Sequence, residues 1–212
     1  MKWKESGAQF ENPPSGSFIA RCYALIDLGT QHRSAWQGEE RPPARMVRLS
    51  FELPTEKMEG KYDAKVAGKP FSVHMTVKQS LHVKANLRRY LEGWRGKKFT
   101  AESVAAFDPK KLLGLPCRLT LVENGDYVNV DAISPLGKGE DKKMPKQVNK
   151  SVYVSLEAEE FDAEAFEKLG EKTREKIKKS PEWQALDSGG SPSESEQGDA
   201  PEGEPEGGGD PF

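Results

Sequence analysis

Alternating apolar and polar residues predict three β-strands in the first part of the chain. They run from Phe18 to Leu28, from Met46 to Leu53 and from Phe71 to Lys78. The apolar face of the first strand is expected to hold Phe18, Ala20, Cys22, Ala24, Ile26 and Leu28. The corresponding residues of the next two strands are Val47, Leu49, Phe51 and Leu53, then Phe71, Val73, Met75 and Val77. Since successive side chains of a strand point to opposite faces, each strand has one face for a core.

The period then changes to that of a helix. Apolar residues between Val83 and Trp94 recur at three- and four-residue spacing, which predicts an amphipathic helix with Tyr90 and Trp94 in the core. A helical turn follows, with Asp108 as N-cap and Pro109 in its first position. Two further strands, 116–122 and 127–133, are joined by a turn that contains Asn-Gly, a strong hairpin signal.

Three strands, a helix and a hairpin predict a mainly β fold with helices. We expect an OB-like five-stranded Greek-key barrel with its helix between strands 3 and 4, formed by residues 1–140 together with an N-terminal arm. Other small barrels and α+β folds have the same element order, so the order leaves them open. Cys22 and Cys117 lie within apolar strands and are expected to be buried packing residues.

The C-terminal part divides into an extension and a tail. Residues 141–186 are expected to form a linker, which begins near Lys138, and one or two short helices, with Asp162 as N-cap and Gly170 as a break. Residues 187–212 are rich in Gly, Ser, Pro and acids, and their one aromatic residue is Phe212. Such a segment cannot bury enough apolar surface to offset its ordering entropy, so we expect it to be disordered.

The charges are strongly separated along the chain. Residues 1–150 carry a net charge of +9, residues 151–186 carry -3 and residues 187–212 carry -8, which gives the overall -2. This separation is typical of a polyanion binder whose tail has another role. The sequence has no apolar run long enough to span a membrane and no secretory signal, so a soluble, cytoplasmic protein is expected.

Common catalytic and cofactor motifs are absent from the sequence. It has no phosphate-binding loop, no dinucleotide-binding glycine motif and no His-Glu-x-x-His or Gly-x-Ser-x-Gly motif. The histidines, His32, His74 and His82, have no ligand-like spacing with the cysteines. We therefore expect no enzyme activity, no cofactor and no metal.

A single-strand binder needs cations for phosphates and aromatic rings on which bases stack. Residues 29–44 are expected to form a loop that offers Gln31, His32, Arg33, Trp36 and Arg41, although Trp36 fits a cap over the barrel end equally well. Further candidates, expected opposite the core, are Arg45, Arg48, His74, Lys78, Arg118 and Tyr127, with Tyr23 as a further stacking residue. A third group is Arg88, Arg95 and Lys97 at the helix, for which simple solvation is the alternative.

The C-terminus, Asp210-Pro211-Phe212, places one apolar ring beside two carboxylates. It resembles the tail of bacterial and phage single-stranded-DNA-binding proteins, where an acidic run ends in Pro-Phe. That resemblance implies that Phe212 enters a pocket on a replication, recombination or repair partner while a basic rim holds the carboxylates. A merely solubilising acidic tail is the alternative. This tail departs from the family pattern, because Gly and Pro dilute its acids and the penultimate apolar residue is missing.

The body, roughly residues 15–180, resembles phage and prophage proteins of the same single-strand-binding group. The strings that resemble it are Leu-Ile-Asp-Leu-Gly-Thr-Gln at 25–31, Leu-Arg-Arg-Tyr-Leu-Glu-Gly-Trp-Arg-Gly at 87–96 and Lys-Lys-Ser-Pro-Glu-Trp at 178–183. The resemblance implies a protein that acts in DNA replication or recombination in a bacterial or phage-infected cell.

The expected function is therefore non-sequence-specific binding of single-stranded DNA, with partners recruited by the tail and self-association possible. A strand-annealing or recombination-mediator protein and a protein-protein adaptor are the alternatives. A nuclease is a weaker one, because Asp27, Asp108, Asp126 and Asp131 are scattered over unrelated predicted elements.

Removal of residues 187–212 is expected to leave the affinity for single-stranded DNA unchanged or to raise it, because eight carboxylates are removed from a polyanion binder. The same truncation should abolish pull-down of partner proteins. Fluorescence anisotropy on oligothymidine and affinity capture measure the two effects. A large loss of DNA affinity would contradict this division of roles.

Overall fold

The computed structural model describes residues 10–36 and 38–189, with Trp36 and Lys143 described through their backbones alone. The strands are β1 (Gly16–Trp36), β2 (Glu39–Lys57), β3 (Pro70–Lys78), β4 (Pro116–Asn124), β5 (Tyr127–Ser134) and β6 (Val152–Val154). The α-helices are α1 (Asn86–Arg95), α2 (Ala101–Ala105), α3 (Ala163–Glu167), α4 (Glu171–Lys178) and α5 (Pro181–Asp187). The fold is therefore mainly β with a few helices, as predicted, and α1 lies between β3 and β4.

The sheet is open. Its hydrogen-bonded order is β3, β2, β1, β4, β5, with antiparallel neighbours, and β6 adds parallel to β1. The prediction of a closed five-stranded barrel is therefore wrong, because no ladder joins β3 to β5 within residues 10–36 and 38–189. Helix α1 contacts both of these edge strands and covers the seam between them. The three-residue strand β6 was not predicted, since so short an apolar run carries little periodicity.

Helix α1 packs against the sheet through the predicted apolar stripe. Leu87, Leu91 and Trp94 are buried, and the indole Nε1 of Trp94 donates to the carbonyl of Pro116 at 2.9 Å. Tyr90 packs against the same cluster, so the prediction that Tyr90 and Trp94 belong to the core is confirmed. Gly93 permits the close approach, because a Cβ there would lie 2.5 Å from the carbonyl oxygen of Ile133.

Local capping signals in the sequence are confirmed. Asp108 accepts from the amide of Lys110 and is followed by Pro109 in a short 3-10 helix. Asp162 accepts from the amide of Ala165 and caps α3. Gly170 separates α3 from α4. These caps are read correctly because they depend on neighbours in sequence alone.

A bulge at Tyr23 changes which residues of β1 share a face. The pairing of β1 with β2 shifts register between Cys22 and Ala24. Before the bulge, Ala20 and Cys22 lie in one apolar cluster; after it, Leu25 joins that cluster and Ala24 moves to the other. The prediction of one apolar face from Phe18 to Leu28 is therefore wrong, because the extra residue of a bulge inverts the alternation that follows.

Strand β1 consequently buries apolar residues on both sides of the sheet. The inner cluster, on the α1 side, includes Leu49, Phe51 and Leu119. The outer cluster, on the opposite side, joins β1 and β6 to α3, α4 and α5 and consists of Ala24, Ile26, Leu28, Val154, Leu156, Phe166, Leu169 and Ile177. The C-terminal extension is thus packed onto the sheet.

Hydrogen bonds from the sheet hold residues 145–149, within the predicted linker, against the outer side of the sheet. Glu52 is fully buried, and its carboxylate accepts from the amide of Asn149 at 2.9 Å and from the amide of Val148 at 3.2 Å. Arg21 donates to the carbonyl of Pro145 at 3.2 Å. Because an unpaired buried carboxylate is costly, residues 145–149 are held to the sheet more firmly than the predicted linker implies.

The two cysteines are buried, as predicted. Cys22 and Cys117 are both free thiols with no exposed surface, and burial raises the pKa of Cys22 to about 12. None of the helices within the described part of the chain has the length and apolar character needed to cross a membrane.

Replacement of Phe166 by Ala tests whether the extension is part of the folded unit. Phe166 is 1% exposed and stacks on Trp183 with ring centroids 4.2 Å apart, so Phe166→Ala should lower the free energy of unfolding by about 3–5 kcal/mol. Urea unfolding followed by circular dichroism and by tryptophan fluorescence should give one shared transition. Val148→Ala, at a side chain that is 57% exposed, is the control with an effect below about 0.5 kcal/mol. Two separate transitions would contradict an integral extension.

Candidate nucleic-acid interface

Strands β1 and β2 continue beyond the rest of the sheet as a two-stranded ribbon, residues 31–44. Pairing continues from Gln31 with Ala44 to Trp36 with Glu39. The prediction of a loop over residues 29–44 is therefore wrong. Two register shifts within the ribbon break the alternation, and Pro42, Pro43 and Gly38 resemble loop residues, so the sequence concealed the strands.

Two arginines face each other across this ribbon. Arg33 pairs with Arg41 in the register. The Nε of Arg33 donates to the carbonyl of Pro42 at 2.8 Å, and the Nε of Arg41 donates to the carbonyl of Ser34 at 3.0 Å. Within the described residues neither guanidinium has a carboxylate within 4 Å, and the exposed Glu39 and Glu40 near the tip reach no cation. Two like charges are thus held opposite each other, an arrangement that a bound anion would relieve.

The outer face of the sheet, defined as the side that carries Arg48 and His74, contributes further polar groups. In β2 and β3, Arg48 pairs with Thr76 and Ser50 pairs with His74. Arg48 donates to the hydroxyl of Thr173 at 3.0 Å, and desolvation lowers the pKa of its guanidinium. Since its hydrogen-bond partner is neutral, the charge of Arg48 remains available to an anion.

Lys78 extends this face at the end of β3. It shares the alternation of His74, and its side chain is exposed. Its ammonium group has no carboxylate partner among the residues that the structure describes. The expected shared direction is therefore observed for Arg48, His74 and Lys78.

Arg45 does not share this direction. It has the same alternation as Val47 of the inner cluster, and it forms ion pairs with Asp27 at 2.5 Å and with Glu157 at 2.7 Å. Its predicted position opposite the core is wrong, since it lies three positions before Arg48 and an odd spacing reverses the face. Its positive charge is therefore neutralised by two carboxylates.

The C-terminal helices occupy part of the outer face. Gln31 donates to the carbonyls of Leu28 at 2.7 Å and Lys176 at 3.1 Å. Tyr23 is half-buried against the outer cluster, where burial raises its pKa, so its ring takes part in packing. Sequence reasoning missed this covering, although the apolar stripe that contains Phe166 and Ile177 required a partner surface.

The helix cations are divided between buried and exposed positions. Arg88 donates to Glu92 and to the carbonyls of Leu81 and Phe99, and Arg95 lies 4.1 Å from the centroid of the Phe99 ring. Lys97 is exposed. The four-residue spacing of Arg88 and Glu92 on one helix could have indicated their ion pair, whereas the contacts of Arg88 and Arg95 with Phe99 depend on the course of the chain after α1.

The remaining predicted residues are dispersed. Arg118 forms an ion pair with Glu140. Tyr127 is 73% exposed, but it begins β5 at the end of the sheet opposite the ribbon. His32 is exposed on the ribbon, whereas the side chain of Trp36 and the segment Asp210-Pro211-Phe212 lie outside the described residues. The structure therefore brings together a smaller set than predicted: His32, Arg33 and Arg41 on the ribbon, and Arg48, His74 and Lys78 on the outer face.

Comparison with known proteins gives no significant match. No family model matches the chain, and neither a curated protein nor a solved structure matches it. Within residues 10–36 and 38–189, no group of three His, Cys, Asp or Glu side chains is arranged to hold a metal ion.

His74 should make stability depend on pH. Burial and then the positive charge of Arg48 lower the pKa of His74 below its usual 6.5, and its Nδ1 lies 2.9 Å from the hydroxyl of Ser50. Because the unfolded chain binds the proton at higher pH, stability should decrease as pH falls from the unfolded value of about 6.5 towards the lowered folded value. Urea unfolding at about pH 7.5 and about pH 5 should give a smaller loss in His74→Gln than in wild type. His32→Gln is the control; an equal change in both variants would contradict this role of His74.

Proposed function

We propose that this protein binds single-stranded DNA without sequence specificity, through the ribbon and the outer face. The observation that carries the proposal is the pair Arg33 and Arg41, held opposite each other by backbone carbonyls and without carboxylate partners in the described part of the chain. Such cations neutralise backbone phosphates and release counterions, an interaction that is independent of base sequence. Arg48 and Lys78 continue the positive charge onto the sheet.

The strand arrangement supports the same function. The order β3, β2, β1, β4, β5, with α1 between β3 and β4, is compatible with an OB-like barrel that is open between β3 and β5. OB-folds are partly open Greek-key barrels that bind oligonucleotides with strands and loops. In this proposal the ribbon takes the place of a long loop between the first two strands, and Trp36 stacks on a base.

The tail has a separate role in this proposal. Residues 187–212 hold eight acidic residues and include Asp210-Pro211-Phe212. An aromatic ring that lies close to carboxylates in the sequence suits a partner pocket that has an apolar floor and a basic rim. The tail would thus recruit replication or recombination proteins to DNA that the body holds.

A titration of the full chain tests the proposal directly. Fluorescence anisotropy with oligothymidine, with duplex DNA and with RNA of equal length should give tighter binding to the single DNA strand, weakening as salt rises. Absence of binding at about 50 mM salt, or equal affinity for duplex, would refute the proposed function.

Arg33→Ala combined with Arg41→Ala should weaken binding to single-stranded DNA. The loss of two phosphate contacts should reduce the slope of log affinity against log salt by about 1.4, and the affinity at about 0.1 M salt by roughly tenfold. The control is Lys57→Ala combined with Lys69→Ala, which removes the same charge from exposed positions at the other end of β2. Equal effects of the two double variants would contradict a role for the ribbon.

A further inference from the structure

The strongest concentration of positive charge lies outside the ribbon and the outer face. Residues 79–98 contain six Lys and Arg residues and one carboxylate, Glu92. The amide of Phe99 and the guanidinium of Arg88, each 2.9 Å from Glu92 Oε1, lower the pKa of that carboxyl to about 2. Lys98 lies 3.1 Å from its other oxygen. Glu92 is thus ionised and already neutralised by two cations, so it opposes little of the remaining charge.

Three of the remaining cations border a single cleft. Lys84, Arg89 and Lys97 are exposed and line a cleft of about 710 Å³ on the surface of α1. None of the three has a carboxylate within 4 Å in residues 10–36 and 38–189. The backbones of Gly93 and Gly96 also line the cleft.

The cleft and the outer face lie on opposite sides of the sheet. Helix α1 packs through Leu87 and Leu91 on the inner cluster, together with Val47 and Leu49 of β2. Arg48 of the same strand points to the other side, where it contacts α4. β3 is an edge of the hydrogen-bonded order and ends at Lys78, and the chain from there leads into α1. Cations therefore occur on the outer face, at the end of the edge strand and in the cleft.

We propose that the α1 cleft is a second site for the sugar-phosphate backbone of single-stranded DNA, and that one bound strand passes from the outer face around the edge of β3 into this cleft. This inference rests on the proposed function and extends the path of the bound DNA strand beyond the outer face. Cationic side chains are sufficient to bind the phosphates of a DNA backbone. A bound polypeptide depends on a buried apolar anchor, and the cleft offers just one exposed apolar side chain, Val83.

The test compares a cleft variant with a charge-matched variant. The cleft variant is Lys84→Ala, Arg89→Ala and Lys97→Ala; the control is Lys57→Ala, Lys65→Ala and Lys69→Ala, three exposed lysines at or near the connection from β2 to β3. Both should unfold at the wild-type temperature, because all six side chains are exposed. Affinities are measured by anisotropy across a salt series. One binding unit of this kind covers about 4–16 nucleotides. An oligothymidine of about 6 nucleotides lies near the lower limit of this range, and one of about 20 nucleotides exceeds it.

For the long oligonucleotide, the cleft variant should lose about 2 from the salt slope and roughly tenfold or more in affinity relative to the control. For the short one, which the ribbon and outer face hold alone, the two variants should bind equally. If the cleft variant binds the long strand with the same salt slope and affinity as wild type, the proposal of a second site is refuted and the proposed function stands. If wild type binds neither oligonucleotide, the proposed function itself fails. An equal loss with short and long strands would overturn the continuous path.

Discussion

The structure depends on one strand that is apolar on both sides. The bulge at Tyr23 inverts the alternation within β1, so Cys22 and Leu25 face one cluster while Ala24 and Ile26 face the other. Burial of apolar surface is the main driving force of folding, and a strand used on both sides lets one sheet support two cores. Without that inversion the C-terminal helices would have no apolar surface on the outer side against which to pack.

The second core determines which cations remain available. The C-terminal part of the chain engages polar groups on both sides of the sheet. On the outer side, Gln31 donates to the carbonyl of Lys176 and Glu52 accepts from the amide of Asn149. On the inner side, Arg45 pairs with both Asp27 and Glu157. The cations of the ribbon, of the end of β3 and of the α1 cleft are among those that have no carboxylate partner in the described residues. The proposed DNA path joins these cations with Arg48 on the outer face.

Local features were predictable to different degrees. The strands β3, β4 and β5, the helix α1 and the caps Asp108 and Asp162 were found in the sequence, because each depends on neighbouring residues and a regular period. The ribbon was predicted as a loop because its bulges interrupt the alternation of apolar and polar residues. Strand β6 was missed because three residues are too few to show that alternation. Closure of the barrel was predicted incorrectly, because contact between β3 and β5 joins residues far apart in sequence.

The sequence by itself determined the element types, the buried cysteines and the separation of a basic body from an acidic tail, because composition and spacing are properties of the chain alone. The tertiary structure decided which cations are free. Arg45, Arg33 and Arg118 were equivalent candidates in the sequence, yet Arg45 is paired with Asp27, Arg118 is paired with Glu140, and the Nε of Arg33 donates to a carbonyl. Whether a cation can serve a phosphate depends on the carboxylates within a few ångströms of it, and distant segments supply these when the chain folds.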